Sequence, residues 1–208
     1  MDRSKQLILC VEAETLKKFN IAPAEQLVLN NLSWLDSIPC WFVPRSLAEE
    51  DPRFRQLIPY IVLANTEGKI AVYRRGATGG EARLHDRLTL GFGGHVDVSD
   101  AFVVGEEFDA KMTLQMATQR EIQEELATRI TVKDVVDVGL IISDADDVSR
   151  VHLGLVQVWT IDSSIEAGEA CILDIEWHTV QDLISRKDRM ENWSRIVCEA
   201  LANTVVST

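Results

Sequence analysis

The sequence predicts an α+β fold, a mixed β-sheet covered by helices, and three observations lead there. Apolar runs rich in β-branched residues, punctuated by Gly, Pro, Asn and Asp, fill residues 57–96 and return over 135–161. Between them AKMTLQMATQREIQEELATRI (110–130) lacks Gly and Pro and is dense in good helix formers. A final stretch, TVQDLISRKDRMENWSRIVCEAL, has the composition of one or two closing helices. The order is strands, helix, strands, helix, which a sheet with helices packed on it accommodates.

Each element can be argued in turn. Residues 1–55 read as an N-terminal extension packed on a main domain of residues 56–208, which includes the C-terminal helices. Within the extension, LILCV suits a strand and AEQLVLNNLSWL a helix. In CWFVPRSLAEEDP, Ser46 with Glu49 three positions on resembles a capping box that starts a short helix, ended by Pro52. LIPYIVLAN and KIAVYRRG, joined at Glu67-Gly68, form a hairpin. RLTLGFGGHV is a third strand running into a glycine turn, and 110–130 is the longest helix. VVDVGLII and VHLGLVQVWTI are strands on either side of the acidic turn SDADD. No Gly/Ser/Pro-rich linker and no internal repeat divides the chain.

Composition bounds the function. With 208 residues, 46% of them hydrophobic, the chain can bury a substantial core. A net charge of -12 repels duplex nucleic acid over most of the surface. One small phosphorylated ligand is still compatible, since a divalent cation and a few arginines reverse the local sign. Cys10, Cys40, Cys171 and Cys198 lack CxxC spacing and paired histidines, so they read as reduced core residues. No apolar stretch reaches the roughly eighteen residues of a membrane span, and the N-terminal apolar run is too short for a signal peptide. A cytoplasmic, soluble protein is expected.

Two short stretches carry the chemistry. In GFGGHV, Gly93 and Gly94 follow a strand and let the backbone approach a ligand or metal closely, with a carbonyl free to coordinate. In REIQEEL, successive helical residues turn by about 100°, so Glu121, Glu124 and Glu125 fan over one face of the helix. Like charges so placed repel and invite a compensating ion. Magnesium, a hard cation, takes carboxylate and carbonyl oxygens while keeping several waters. Arg120, four residues before Glu124, is placed to orient a carboxylate. A charge-rich helix is also commonly just a solvated face, and a Gly-Gly pair just a tight turn; the two stretches in this order favour the metal-binding reading.

On these residues the chain resembles the Nudix hydrolase family, which carries a glycine-initiated loop followed by a helix with Arg-Glu-apolar-x-Glu-Glu. The matching positions are Gly94, with Gly93 before it, then Arg120, Glu121, Ile122, Glu124 and Glu125; Ala117 fits the small residue expected three before the arginine. The runs QLIPYIVLAN, YRR, RLTLGFGGHV and REIQEEL are similar to a subgroup of predicted phosphoesterases with an interrupted Nudix box, and the resemblance covers roughly residues 40–185. It implies an α/β/α sandwich with a mixed sheet, and a loop-helix-loop that binds magnesium, or manganese in its place, at a diphosphate. The departures are specific. Gly94 and Arg120 lie twenty-six positions apart, about twelve more than the family's spacing. The family's earlier glutamate falls on Met112, for which Glu106 and Glu107 could fold back to serve, and its closing glycine and the apolar residue after it fall on Ala127 and Thr128.

The flanks segregate charge. Residues 97–147 hold thirteen acids and four bases, whereas 69–87 hold five bases and two acids. If the hairpin bearing Arg74, Arg75 and Arg83 faces the helix, a phosphate-binding wall opposes a metal-binding one, as phosphoryl transfer needs. Arg74 and Arg75 point to opposite faces of a strand, so at most one reaches a ligand directly. His95 could donate to a phosphate or be structural. Asp144, Asp146 and Asp147 form an acidic loop; Glu166 and Glu169 lie near where the family often places a further acid. Trp159, Trp177 and Trp193 suit packing.

The expected activity is a magnesium-dependent hydrolysis of a diphosphate linkage in a nucleoside-diphosphate-type or other phosphorylated small molecule. The metal ligands would be Gly94, Glu121, Glu124 and Glu125, with Arg120 and Glu121 catalytic and Arg74, Arg75, Arg83, Gly93 and His95 at the substrate. The alternative is a catalytically weak ligand-binding or regulatory module on the same fold. A third class, an isomerase of isoprenoid diphosphates, would want a reactive cysteine near the site. The apolar extension admits a homodimer.

Overall fold

A computed structural model describes residues 5–29, 32–76 and 86–205. Its elements are β1 (Leu7–Glu12), α1 (Ala13–Lys17), β2 (Cys40–Pro44), α2 (Arg45–Ala48), β3 (Phe54–Asn65), β4 (Ile70–Arg75), β5 (Leu88–Thr89), β6 (Gly91–Phe92), β7 (Val103–Val104), β8 (Glu107–Phe108), α3 (Ala110–Glu125), β9 (Val132–Ile141), β10 (His152–Ile161), β11 (Ile172–His178), α4 (Val180–Ile184) and α5 (Asn192–Val205). Antiparallel strands with helices packed by their apolar residues make this the predicted α+β fold. The residues fall into two compact units, Met1–Tyr60 with Gly93–Arg120 and Asp137–Val156, and Ile61–Phe92 with Glu121–Val136 and Gln157–Thr208.

In the first unit the apolar run of β1 pairs antiparallel with β2 on one side (Leu9 opposite Phe42) and with the start of β3 on the other (Val11 opposite Arg55). Its inward residues Leu9 and Val11 join Leu57, Val96, Leu114, Ala117, Leu140 and Leu153 in one buried cluster. α3 enters this core through Leu114 and Ala117, which share a helix face at i and i+3. Asp109 caps the helix, its Oδ1 accepting from the Met112 amide at 2.9 Å. The insertion ahead of α3 is a small β7–β8 hairpin turning at Gly105 (φ +66°).

Two expectations fail in this unit. Among the described residues of AEQLVLNNLSWL the expected helix does not form: Ala24 and Val28 donate their amides to the carbonyls of Ile142 (2.8 Å) and Leu140 (2.9 Å), and Val28 forms an antiparallel bridge with Leu140. Among the described residues of this stretch, Ser33–Asp36 coils as a 3-10 turn. The helix expected to start at Ser46 starts one residue earlier, after Pro44, without a side-chain cap. Glu49 pairs with Arg45 at 2.7 Å, so the Ser46/Glu49 capping box does not form.

In the second unit the β3–β4 hairpin turns where the sequence placed it. Asn65 Oδ1 accepts from the Glu67 and Lys69 amides, and Gly68 takes a φ of +76° that a Cβ would disfavour. β4 pairs with β11, with a register shift between Leu173 and Glu176 where Asp174 is left-handed. The expected third strand is two short pieces, β5 on β4 and β6 on β3. Ile61, Leu63, Tyr73, Phe92, Ile161 and Ile172 form the core here, and α3 reaches it through Ile122, joined by Leu126 just past the helix end. Trp159 and Trp177 pack partly buried against it, as expected. Thr179 caps α4, and α5 buries Ile196, Val197 and Cys198.

Candidate active site

Arg120 in α3 is held by a residue that the sequence reading passed over. Its Nε and Nη2 each donate at 2.8 Å to the two oxygens of Asp100, and Nη2 donates at 2.9 Å to the carbonyl of His95. Asp100, with its side chain 5% exposed, also accepts from the Asp97 amide at 2.9 Å, while Asp97 accepts from the Ser99 amide. This reciprocal capping box in the Val98–Asp100 turn fixes the carboxylate that fixes the arginine. A two-point guanidinium–carboxylate pair sets orientation as well as distance. Glu106 and Glu107, the acids suggested for a supporting role, are exposed in the β7–β8 hairpin. A D-x-x-D turn was the available signal for Asp100, but nineteen intervening residues hid its partner.

Upstream, Gly93 takes φ +138°, and a Cβ built there would lie 2.1 Å from the Pro59 carbonyl oxygen, so no other residue fits. Gly94 is half-buried beside it. The His95 ring turns into a polar network: its Nε2 lies 2.8 Å from Gln56 Oε1 and 3.3 Å from His152 Nε2. Gln56 spends its amide donor on the Ala48 carbonyl, so its oxygen must accept and His95 Nε2 must carry the proton. His152 Nδ1 donates to the Val148 carbonyl at 2.6 Å, which leaves its Nε2 an acceptor toward His95. Burial pushes the His152 pKa below 6.5, opposed in part by the Val148 carbonyl, in keeping with that neutral tautomer.

The second unit holds the glutamates. Glu121 and Glu125 are half-buried, Glu124 exposed, and Ile122 between them is buried and sets the fan's outward face. The helix end is closed from a distant loop. The Ala127 amide donates to the Glu166 carbonyl at 2.9 Å, and the Gly168 amide donates to the Glu125 carbonyl at 2.8 Å. A Cβ on Gly168 would meet backbone atoms of Glu124, Leu126 and Ala127 at 2.8–2.9 Å. A through-space closure thus stands where the family's motif has a local glycine and this chain has Ala127.

Of the arginines, Arg75 is half-buried, 3.5 Å from the Tyr73 hydroxyl and 3.8 Å from Glu191. Tyr73 is fully buried, which drives its pKa up; the Arg75 charge opposes this, and those of Glu125 and Glu191 add to it. Arg74 points the other way, as the strand period requires, and pairs with Asp86 (2.8 Å) and Asp174 (2.6 Å). Arg83 lies outside the described residues. Cys171 donates to Glu169 at 3.2 Å, and burial followed by that carboxylate pushes its pKa to about 11, so it is a thiol rather than a thiolate.

The acidic loop is spent on structure. Asp144 pairs with buried Arg55 at 2.5 Å, Asp146 caps the Ser149 amide at 2.7 Å, and Asp147 pairs with Arg150 at 3.0 Å. Among the described residues no three His, Cys, Asp or Glu side chains are gathered closely enough to hold a metal ion as they stand. Magnesium does not require such a cage: it is commonly held by one or two carboxylates, several waters and the substrate's phosphates. The donor set at Glu121, Glu124 and Glu125 consists of hard oxygens and fits that mode.

No model of a known protein family matches the chain. It is 36% identical over 162 residues to protein YmaB of Bacillus subtilis strain 168, covering 76% of each chain. Its structure is similar to that of Tm1382, a candidate Nudix hydrolase, with a TM-score of 0.77 and 27% identity over 95% of this chain and 99% of that one. A Nudix hydrolase from Alicyclobacillus acidocaldarius shares the fold, with a TM-score of 0.52 and 16% identity over 74% of this chain and 96% of its own. No helix among the described residues is long and apolar enough to cross a membrane. With Arg120, Glu121, Glu124 and Glu125 on one helix and the glycine turn ahead of it, the chain belongs to the Nudix hydrolase family.

Proposed function

We propose that this protein hydrolyses a diphosphate linkage in a nucleoside-diphosphate-type or other phosphorylated small molecule, with magnesium, or manganese in its place, as the metal ion. One observation supports this above the rest: Glu121, Glu124 and Glu125 sit on the last turns of a helix whose end is tied down by Gly168 and Glu166. These carboxylates would hold the ion, which when bound supplies Lewis-acid stabilisation of charge on the phosphate oxygens. Arg120 is a positioning residue, clamped by Asp100 so that the helix turn bearing Glu121 keeps one orientation. Glu121, half-buried, accepts the proton of the attacking water as the water oxygen bonds to phosphorus and the bridging P–O bond breaks. Arg75 offers a cation for a phosphate on the same unit as the glutamates.

The second reading, a ligand-binding or regulatory module, draws on the same departures at Met112 and Ala127. Phosphate release through a coupling phosphatase, which acts on the monoester products, separates the two on a panel of nucleoside diphosphate derivatives. The expected result is turnover with magnesium, none in excess EDTA, and a loss of about a hundredfold or more in kcat for Glu124→Gln with unchanged circular dichroism. Tight binding without release would replace the hydrolase with the regulatory module, and turnover persisting in EDTA would contradict the metal. Four free thiols suit a reducing cytoplasm. Exposed Trp41 and Leu47 in the N-terminal segment offer apolar surface to a homodimer, which sedimentation velocity would detect.

A further inference from the structure

The second unit contains a positively charged cavity that the reaction described above does not use. In a chain of net charge -12, residues 186–195 carry four bases and two acids. Together with Arg87 they line a cavity of about 420 Å³, to which Arg87, Lys187 and Arg195 contribute cations and Asp188 and Glu191 anions. The charges are unevenly neutralised. Arg87 donates to the Asp188 backbone carbonyl at 3.0 Å, and no carboxylate among the described residues pairs with it. Lys187 and Arg195 share one carboxylate, Glu199, at 3.0 and 3.4 Å. Glu191 is turned inward, 8% exposed, accepting from Ser194 at 3.1 Å and lying 3.8 Å from Arg75. With Glu191 turned toward Arg75, the three lining cations stand against Asp188 and the shared Glu199, an excess of one positive charge.

The walls are set by backbone. Arg75 donates its amide to the Arg87 carbonyl, Asp86 donates back to Arg75, and Asp86 takes φ +61° to make that possible. Leu88 bridges to Met190, and the Glu191 amide donates to the Leu88 carbonyl at 3.2 Å. Arg75 joins this cavity to the glutamate end of α3: it touches Glu191 on one side and the Tyr73 hydroxyl on the other, and Glu125 acts on that same hydroxyl.

We propose that the cavity lined by Arg87, Lys187 and Arg195 is an anion-binding subsite that receives a phosphate or carboxylate group of the substrate other than the diphosphate that is cleaved. This rests on the hydrolase reading and narrows it to substrates carrying a further anionic group. Compact cations around a preformed opening recognise such a group by charge and by the guanidinium's paired donors.

The test separates the subsite from the hydrolase. Inorganic pyrophosphate is titrated into the full-length protein in EDTA, with amide chemical shifts as the readout. Expected are saturable shifts at Arg87 and over 187–195, weakened at least about tenfold in the double variant Arg87→Glu/Lys187→Glu and retained in Glu124→Gln. Both substituted side chains are exposed, so the fold is spared. Shifts that map elsewhere, or that persist unchanged in the double variant, overturn the subsite. In the phosphate-release panel the double variant should raise KM about tenfold with kcat within about twofold. An unchanged KM overturns the subsite while hydrolysis stands, and a panel with no hydrolysis overturns the substrate assignment even if pyrophosphate binds at Arg87.

Discussion

Asp100 shows how a single buried side chain can fix an arginine at the candidate site. Its two oxygens are committed to Arg120, and removing it leaves a guanidinium only 29% exposed without its counter-charge. Asp100→Ala should cost about 2 kcal/mol, less than a fully buried pair because Arg120 reaches solvent, and this would appear as a lower urea midpoint at pH 7. His152 makes a different prediction. Burial holds its folded-state pKa below 6.5, so below that pH the unfolded chain binds the proton more readily than the folded one. The stability contributed by the neutral ring is complete above pH 6.5 and is lost as pH falls through 6.5 toward the folded value. His152→Gln should flatten the fall of the urea midpoint as pH drops below 6.5. Neither residue was found from sequence: Asp100 is twenty positions from Arg120, and His152 meets His95 only because β10 passes the glycine turn.

Among the elements, those with a strong local pattern were legible. The β3–β4 hairpin was readable because Asn65 and Gly68 satisfy the turn by themselves, and α3 because its sixteen residues lack Gly and Pro and are dense in good helix formers. The stretch 24–35 was misread because its composition suits a helix while the Ala24 and Val28 amides are claimed by carbonyls more than a hundred residues away. The Ser46/Glu49 pattern failed for a local reason, Arg45 winning Glu49 first. The glutamates were legible as a fan, but what ends their helix was not, since Gly168 and Glu166 come from the loop after β10. Gly168→Ala should therefore loosen the last turn of α3. Hydrogen exchange at 122–127 would accelerate, and the urea midpoint would fall by the equivalent of about 1–2 kcal/mol. Exchange unchanged from wild type would mean that the loop does not hold the helix end.

For the whole molecule, family membership survives an insertion that interrupts the motif. The extra residues between Gly94 and Arg120 are absorbed by the capped Val98–Asp100 turn and the β7–β8 hairpin, and the turn returns a carboxylate to the arginine. Under the proposed function, the outward-facing glutamates of this acidic protein hold a cation. Manganese binding read by electron paramagnetic resonance tests this most directly, on the wild type and on the triple variant Glu121→Gln/Glu124→Gln/Glu125→Gln. The account predicts saturable binding to the folded wild type that disappears in the folded triple variant. Undiminished binding in the triple variant, or none in the wild type, would contradict it.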